Sequence, residues 1–182
     1  ISATPSNSLI DGDEWEDYHG RVTPMIDCGY VSFQRFIDDE RVHEPFSLEF
    51  LDETETYIDE NTEGKSPMYH FVRSVSSGVS GAEKYVHIQV NFEILRDEKD
   101  IEFIELNMGM EKKEIRKLYR GLSKKPERHT FILIKNMLGA SKTIDDTYIG
   151  SIHESFPVKK DYNSEVQGLP GRLCGWTKRR GK

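Results

Sequence analysis

The chain has 182 residues, 25 Lys and Arg against 32 Asp and Glu, and a net charge of -7. That length supports one sizeable core rather than two, and the two cysteines, Cys28 and Cys174, exclude a disulfide-built scaffold and fit a reducing compartment. No apolar run is long enough to span a bilayer and no secretory signal pattern is present, so we expect no membrane and a cytoplasmic setting. The charge is unevenly spread: residues 1–120 carry 13 Lys and Arg against 26 Asp and Glu, whereas residues 121–182 carry 12 against 6. A polyanion feels local charge within about a Debye length, so the basic end is where phosphate contacts are expected.

In chain order, Ile1-Ser2-Ala3-Thr4-Pro5 precedes a Ser-, Asp- and Glu-rich stretch over 6–20 that reads as a loop. The acidic group Asp11, Asp13, Glu14, Asp17 and His19 is read as solvated, not as a metal site. Val22 to Cys28 suits a short strand. Phe33, Phe36 and Ile37 recur at helical spacing within 31–42. Residues 44–67 are acidic and read as irregular, with Asp59 to Pro67 as a linker. We therefore divide the chain into 1–67, the end of a first domain plus linker or insertion, and 68–182, a second domain.

From Met68 the pattern regularises. Tyr69 to Arg73 predicts a buried strand, and Ser74 to Gly81 a turn. Residues 85–97 are double-valued: Val86, Ile88, Val90, Phe92 and Ile94 alternate as in a strand, while Tyr85, Ile88, Phe92 and Leu95 fit one helix face. We expect a helix, because parallel strands need a crossover. Ile101 to Leu106 predicts a strand. Ile115, Leu118, Tyr119 and Leu122 predict an amphipathic helix with its Lys and Arg on the open face. Phe131 to Ile134 and Tyr148 to His153 predict two more strands, and Asn163 or Ser164 would cap a last helix. This strand–helix alternation predicts an α/β fold with a parallel sheet flanked by helices. His70, His87, His129 and His153 show no ligand spacing, so no metal site is assigned.

Ser2-Ala3-Thr4, the stretch Lys125 to Leu138 with Ala140 to Ile144, Tyr148-Ile149-Gly150, and Gln167-Gly168-Leu169-Pro170-Gly171-Arg172 stand in the order of the third, fifth and sixth motifs of superfamily 2 helicases. In this the chain resembles the C-terminal half of such an enzyme, and is most similar to the helicase-like ATPases of phages and large DNA viruses. The resemblance implies that 68–182 is a RecA-like domain facing an N-terminal RecA-like domain, with ATP and Mg²⁺ held between them mainly by the first. The chain starts at Ile1 rather than Met, and we expect it to be part of a longer protein, inactive alone, in host cytoplasm if viral.

The resemblance also assigns roles. Arg172 would be the finger that stabilises charge on the transferring phosphoryl group, since a permanently charged guanidinium suits phosphate oxygens. Gln167 would orient water or contact phosphates. Ser2, Thr4 and Gly171 would couple ATP state to domain closure. Lys135, Asn136, Lys142 and Thr143 would contact the backbone of DNA or RNA. Two departures mark this chain: Gly171-Arg172 lies one residue further from Gln167 than the motif requires, and Gly175 stands where a second arginine is usual. They motivate the alternative of a non-catalytic RecA-like module that docks nucleic acid or protein. A third reading takes 136–143 as a phosphate loop, but the glycines that permit its tight turn are replaced.

Overall fold

A computed structural model describes residues 30–31, 33–74, 78–107, 109–135, 147–154 and 175–176. Strand β1 (Tyr30–Val31) and helix α1 (Phe33–Asp38) come first, then α2 (Leu51–Thr62), β2 (Tyr69–Ser74), α3 (Gly78–Glu98), β3 (Glu102–Leu106), α4 (Lys112–Gly121), β4 (Thr130–Lys135), β5 (Ile149–Glu154) and β6 (Gly175–Trp176). Strands β2 to β5 form an all-parallel sheet in the order β3-β4-β2-β5. The α/β fold expected from the sequence, a parallel sheet flanked by helices, is what the chain adopts. A separate two-residue antiparallel pair sets Tyr30 against Trp176.

The central strand β4 explains why the sheet is covered on both sides. Its residues Phe131 to Ile134 are all fully buried, as a strand in the middle of a parallel sheet must be. Phe131 and Leu133 face one side, where Val72, Tyr85, Ile88, Phe92, Leu95 and Ile101 complete a core with α2 and α3. Ile132 and Ile134 face the other, with Phe71, Leu106 and Leu122 against α4. On the first side Phe92 lies parallel to Phe103 at 5.4 Å and tilted to Phe131 at 5.2 Å between ring centroids. Rings of this size dominate core energetics, and burying each contributes about 1.5–3 kcal/mol.

Residues 85–97 are helical, as the crossover argument requires: they lie within α3. Three boundaries differ from expectation. β2 extends through Ser74 and α3 begins at Gly78, so the turn between them is shorter than 74–81. The helix expected over 31–42 ends at Asp38, where Glu40 takes φ 54. The acidic stretch read as irregular contains the 12-residue helix α2. Its apolar residues are too few to show a face in sequence, and polar groups hold it instead. Thr54 Oγ1 donates to the carbonyls of Leu48 and Phe50, both at 2.9 Å, and Asn91 Nδ2 of α3 donates to the same Leu48 carbonyl at 3.0 Å. Lys99 bridges Glu55 at 2.8 Å and Asp59 at 2.9 Å, tying the end of α3 to the outer side of α2. Tyr57 and Ile58 then enter the core at 4% and 0% exposure.

Candidate functional site

Lys135 is the one residue assigned a role from sequence that lies among the described residues. It ends β4, in register with Ser74, at the C-terminal edge of the sheet. Open α/β sheets bind ligands outside the carboxyl ends of their strands, so its position suits the role. The local frame is built from α3 and β3. The Lys135 ammonium sits 4.3 Å from the centroid of the Tyr85 ring. The Tyr85 hydroxyl donates to Glu105 Oε2 at 2.7 Å, and Gln89 Nε2 donates to Glu105 Oε1 at 2.8 Å. Burial, then the hydrogen bond and charge of Glu105, push the Tyr85 hydroxyl above its ordinary pKa, so it stays a neutral donor. A cation held over an aromatic face is attracted by about 0.5–2 kcal/mol, which steadies the side chain and leaves its charge in place. On the neighbouring strands Arg73 pairs with Glu154 at 3.3 Å, so that guanidinium is already neutralised.

Ser2, Thr4, Asn136, Lys142, Thr143, Gln167, Gly171 and Arg172 lie outside the described residues, as do the strand expected over 22–28 and the helix expected near 163. The acidic group near residue 11 lies outside them too. Among the described residues no group of three or more His, Cys, Asp and Glu is arranged to hold a metal, and no helix is long and apolar enough to cross a membrane.

The opposite, N-terminal edge of the sheet carries an assembly that sequence reasoning missed. His70 is the second residue of β2, His129 immediately precedes β4, and Ser151 lies in β5. His70 Nδ1 is 2.8 Å from Ser151 Oγ, and His70 Nε2 is 3.0 Å from His129 Nδ1. His129 Nε2 is 3.2 Å from the Lys65 carbonyl, and the Tyr57 hydroxyl is 2.9 Å from Ser151 Oγ. One fact polarises the whole chain of bonds: a carbonyl can only accept. His129 therefore donates from Nε2, and with its Nδ1 accepting, the remaining bonds run in one direction. His70 donates from Nε2 and accepts at Nδ1 from Ser151, and Ser151 in turn accepts from Tyr57. Every donor is used in this arrangement with His70 neutral. Burial first, then the charges of His129 and Lys65, lower the His70 pKa from 6.5 to about 3. Burial likewise raises the Tyr57 hydroxyl.

Beside this network His153 donates from Nε2 to the Phe46 carbonyl at 2.9 Å and stands edge-on to Tyr57 at 5.5 Å. Its Nδ1 is buried with no hydrogen-bond partner among the described residues. Burial lowers the pKa of His153 despite that bond. Such an assembly satisfies buried polar groups and pins α2 to the sheet. It holds no ionised base beside a nucleophile, and we assign it a structural role. The only signal for it in the sequence is that His70 and His129 stand at the starts of the apolar runs of β2 and β4.

No protein-family model matches the chain, and neither a curated protein nor a solved structure does. The fold and the edge carrying Lys135 thus define a parallel α/β domain with a held cation at the end where such sheets bind ligands.

Proposed function

We propose that this chain is the C-terminal RecA-like domain of an ATP-dependent superfamily 2 helicase or translocase acting on DNA or RNA. The observation that carries the reading is the placement of Lys135. The stretch resembling the fifth motif begins where the interior parallel strand β4 ends, at the C-terminal edge of the sheet, the edge at which open α/β sheets bind ligands. Motif order adds to it, with Ser2-Ala3-Thr4 before the sheet and Gly171-Arg172 after β5. In this reading an N-terminal RecA-like domain of the same protein binds ATP and Mg²⁺. Arg172 completes the charge on the transferring phosphoryl group with Gln167 beside it, and Ser2, Thr4 and Gly171 relay ATP state to domain closure. Lys135, Asn136, Lys142 and Thr143 hold the nucleic-acid backbone.

The test is the ATPase rate of the whole parent protein with and without single-stranded nucleic acid, for wild type and Arg172→Ala. Hydrolysis stimulated by the strand should fall about 10³–10⁵-fold in the variant with its melting temperature unchanged. Full activity in the variant would place the finger elsewhere. No activity in either protein would turn the assignment to a non-catalytic docking module.

A further inference from the structure

Helix α4 carries a cationic face that the helicase reading leaves unused. Its ten residues include Lys112, Lys113, Arg116, Lys117 and Arg120 against the single carboxylate Glu114. At 100° per residue the five cations fall within one continuous arc of about 140°, as two columns with a rise of about 6 Å between members. All five are exposed, as are Lys124 and Lys125 just beyond the helix. None forms an ion pair among the described residues; the cations that do are Arg73, Lys84, Lys99 and Arg128.

The arrangement works against the helix itself. Three pairs of like charges stand four residues apart (112 with 116, 116 with 120, 113 with 117), where they repel. Lys112 and Lys113 also occupy the first turn, where the helix dipole disfavours cations. The capping box of Glu111 and Glu114 offsets part of that. In a chain of net charge -7, a concentrated positive face that costs stability is what a polyanion site requires.

We propose that the α4 face binds the phosphodiester backbone of a nucleic acid. Two columns of cations on a rigid helix match an extended, evenly charged polymer, and all five positions bear charge without a base-reading amide among them. A bilayer is disfavoured because Ile115, Leu118, Tyr119 and Leu122 turn inward against the sheet, leaving no apolar side to insert. The contact requires neither Arg172 nor ATP. It lies over the face of the sheet opposite α2 and α3.

The experiment measures binding of fluorescent single-stranded and duplex oligonucleotides to the full chain by anisotropy, across a salt series and without nucleotide. Wild type is compared with Lys112→Gln/Arg116→Gln/Arg120→Gln and with a control on another face, Lys84→Gln/Arg96→Gln. The triple variant should lower the slope of log K against log salt by about two units, at 0.7–0.9 per lost phosphate contact, while the control leaves it unchanged. If the triple variant fails to fold by circular dichroism, Arg116→Gln alone should lower the slope by about one. An unchanged slope in the α4 variants, an equal loss in the control, or binding to phosphatidylserine vesicles in preference to both oligonucleotides would overturn the proposal. Loss of ATPase activity in Arg172→Ala of the parent protein reads out the helicase assignment separately, since that variant should bind through α4 undiminished.

Discussion

His70 and His129, 59 residues apart, stack at 5.3 Å between ring centroids and share a hydrogen bond of 3.0 Å. One nitrogen must accept where the other donates, so at least one of the two rings is neutral in this bond. Ser151 from β5 and His129 ahead of β4 bond to His70, Phe131 of β4 stacks on it at 4.5 Å, and Tyr57 from α2 and the Lys65 carbonyl bond to Ser151 and His129 in turn.

Stability should therefore fall on mild acidification. The unfolded chain protonates His70 below about pH 6.5, whereas the folded chain resists until about 3. The unfolded state thus binds more protons across that window, and stability rises with pH through it and is lost as pH falls. For His70 alone the loss between pH 7.5 and 5.0 is about 2 kcal/mol, and His153 adds in the same direction. Urea unfolding at the two pH values measures it. His70→Gln should shrink the difference by about that amount; an undiminished difference would assign the acid sensitivity to other groups.

Gly150 allows the His70 ring its place. The register shifts between Tyr69 and His70 against β5, so Gly150 is the bulged residue. A Cβ there would lie 2.5 Å from His70 Cε1 and 3.0 Å from Met68 Cβ. Gly150→Ala should cost about 1–3 kcal/mol, as overpacking does. Gly121 closes α4 with nothing within 4 Å of such a Cβ, so Gly121→Ala should be neutral or stabilise by about 0.4–1 kcal/mol. Thermal melts of the pair decide it, and equal effects would remove the close-approach argument.

Lys135 and Tyr85 make separable predictions. If the ammonium contacts a phosphate, Lys135→Ala should lower the salt slope of oligonucleotide binding by about one unit. Tyr85→Phe keeps the ring beneath the ammonium and loses only the hydroxyl bond to Glu105. It should leave the slope intact and reduce stability by about 1 kcal/mol. A slope unmoved by Lys135→Ala would remove Lys135 from the interface.

The sequence by itself determined the sheet and one helix. β2 and β4 contain apolar runs bounded by polar residues, and α4 has a clean apolar face because its open side is almost wholly charged. Helix α3 needed more. Val86, Val90 and Ile94 stay 43–55% exposed on its outer side, which blurs its period and imitates a strand. Only the requirement for a crossover between parallel strands resolved it. The helix α2 and the histidine network were decided by tertiary structure. α2 is held by a threonine and an asparagine that share one backbone carbonyl, and no periodicity encodes that. His70, His129 and Ser151 meet because parallel strands bring residues far apart in the chain to the same end of adjacent rows. Spacing in sequence carries no trace of such a meeting until the strand order is known.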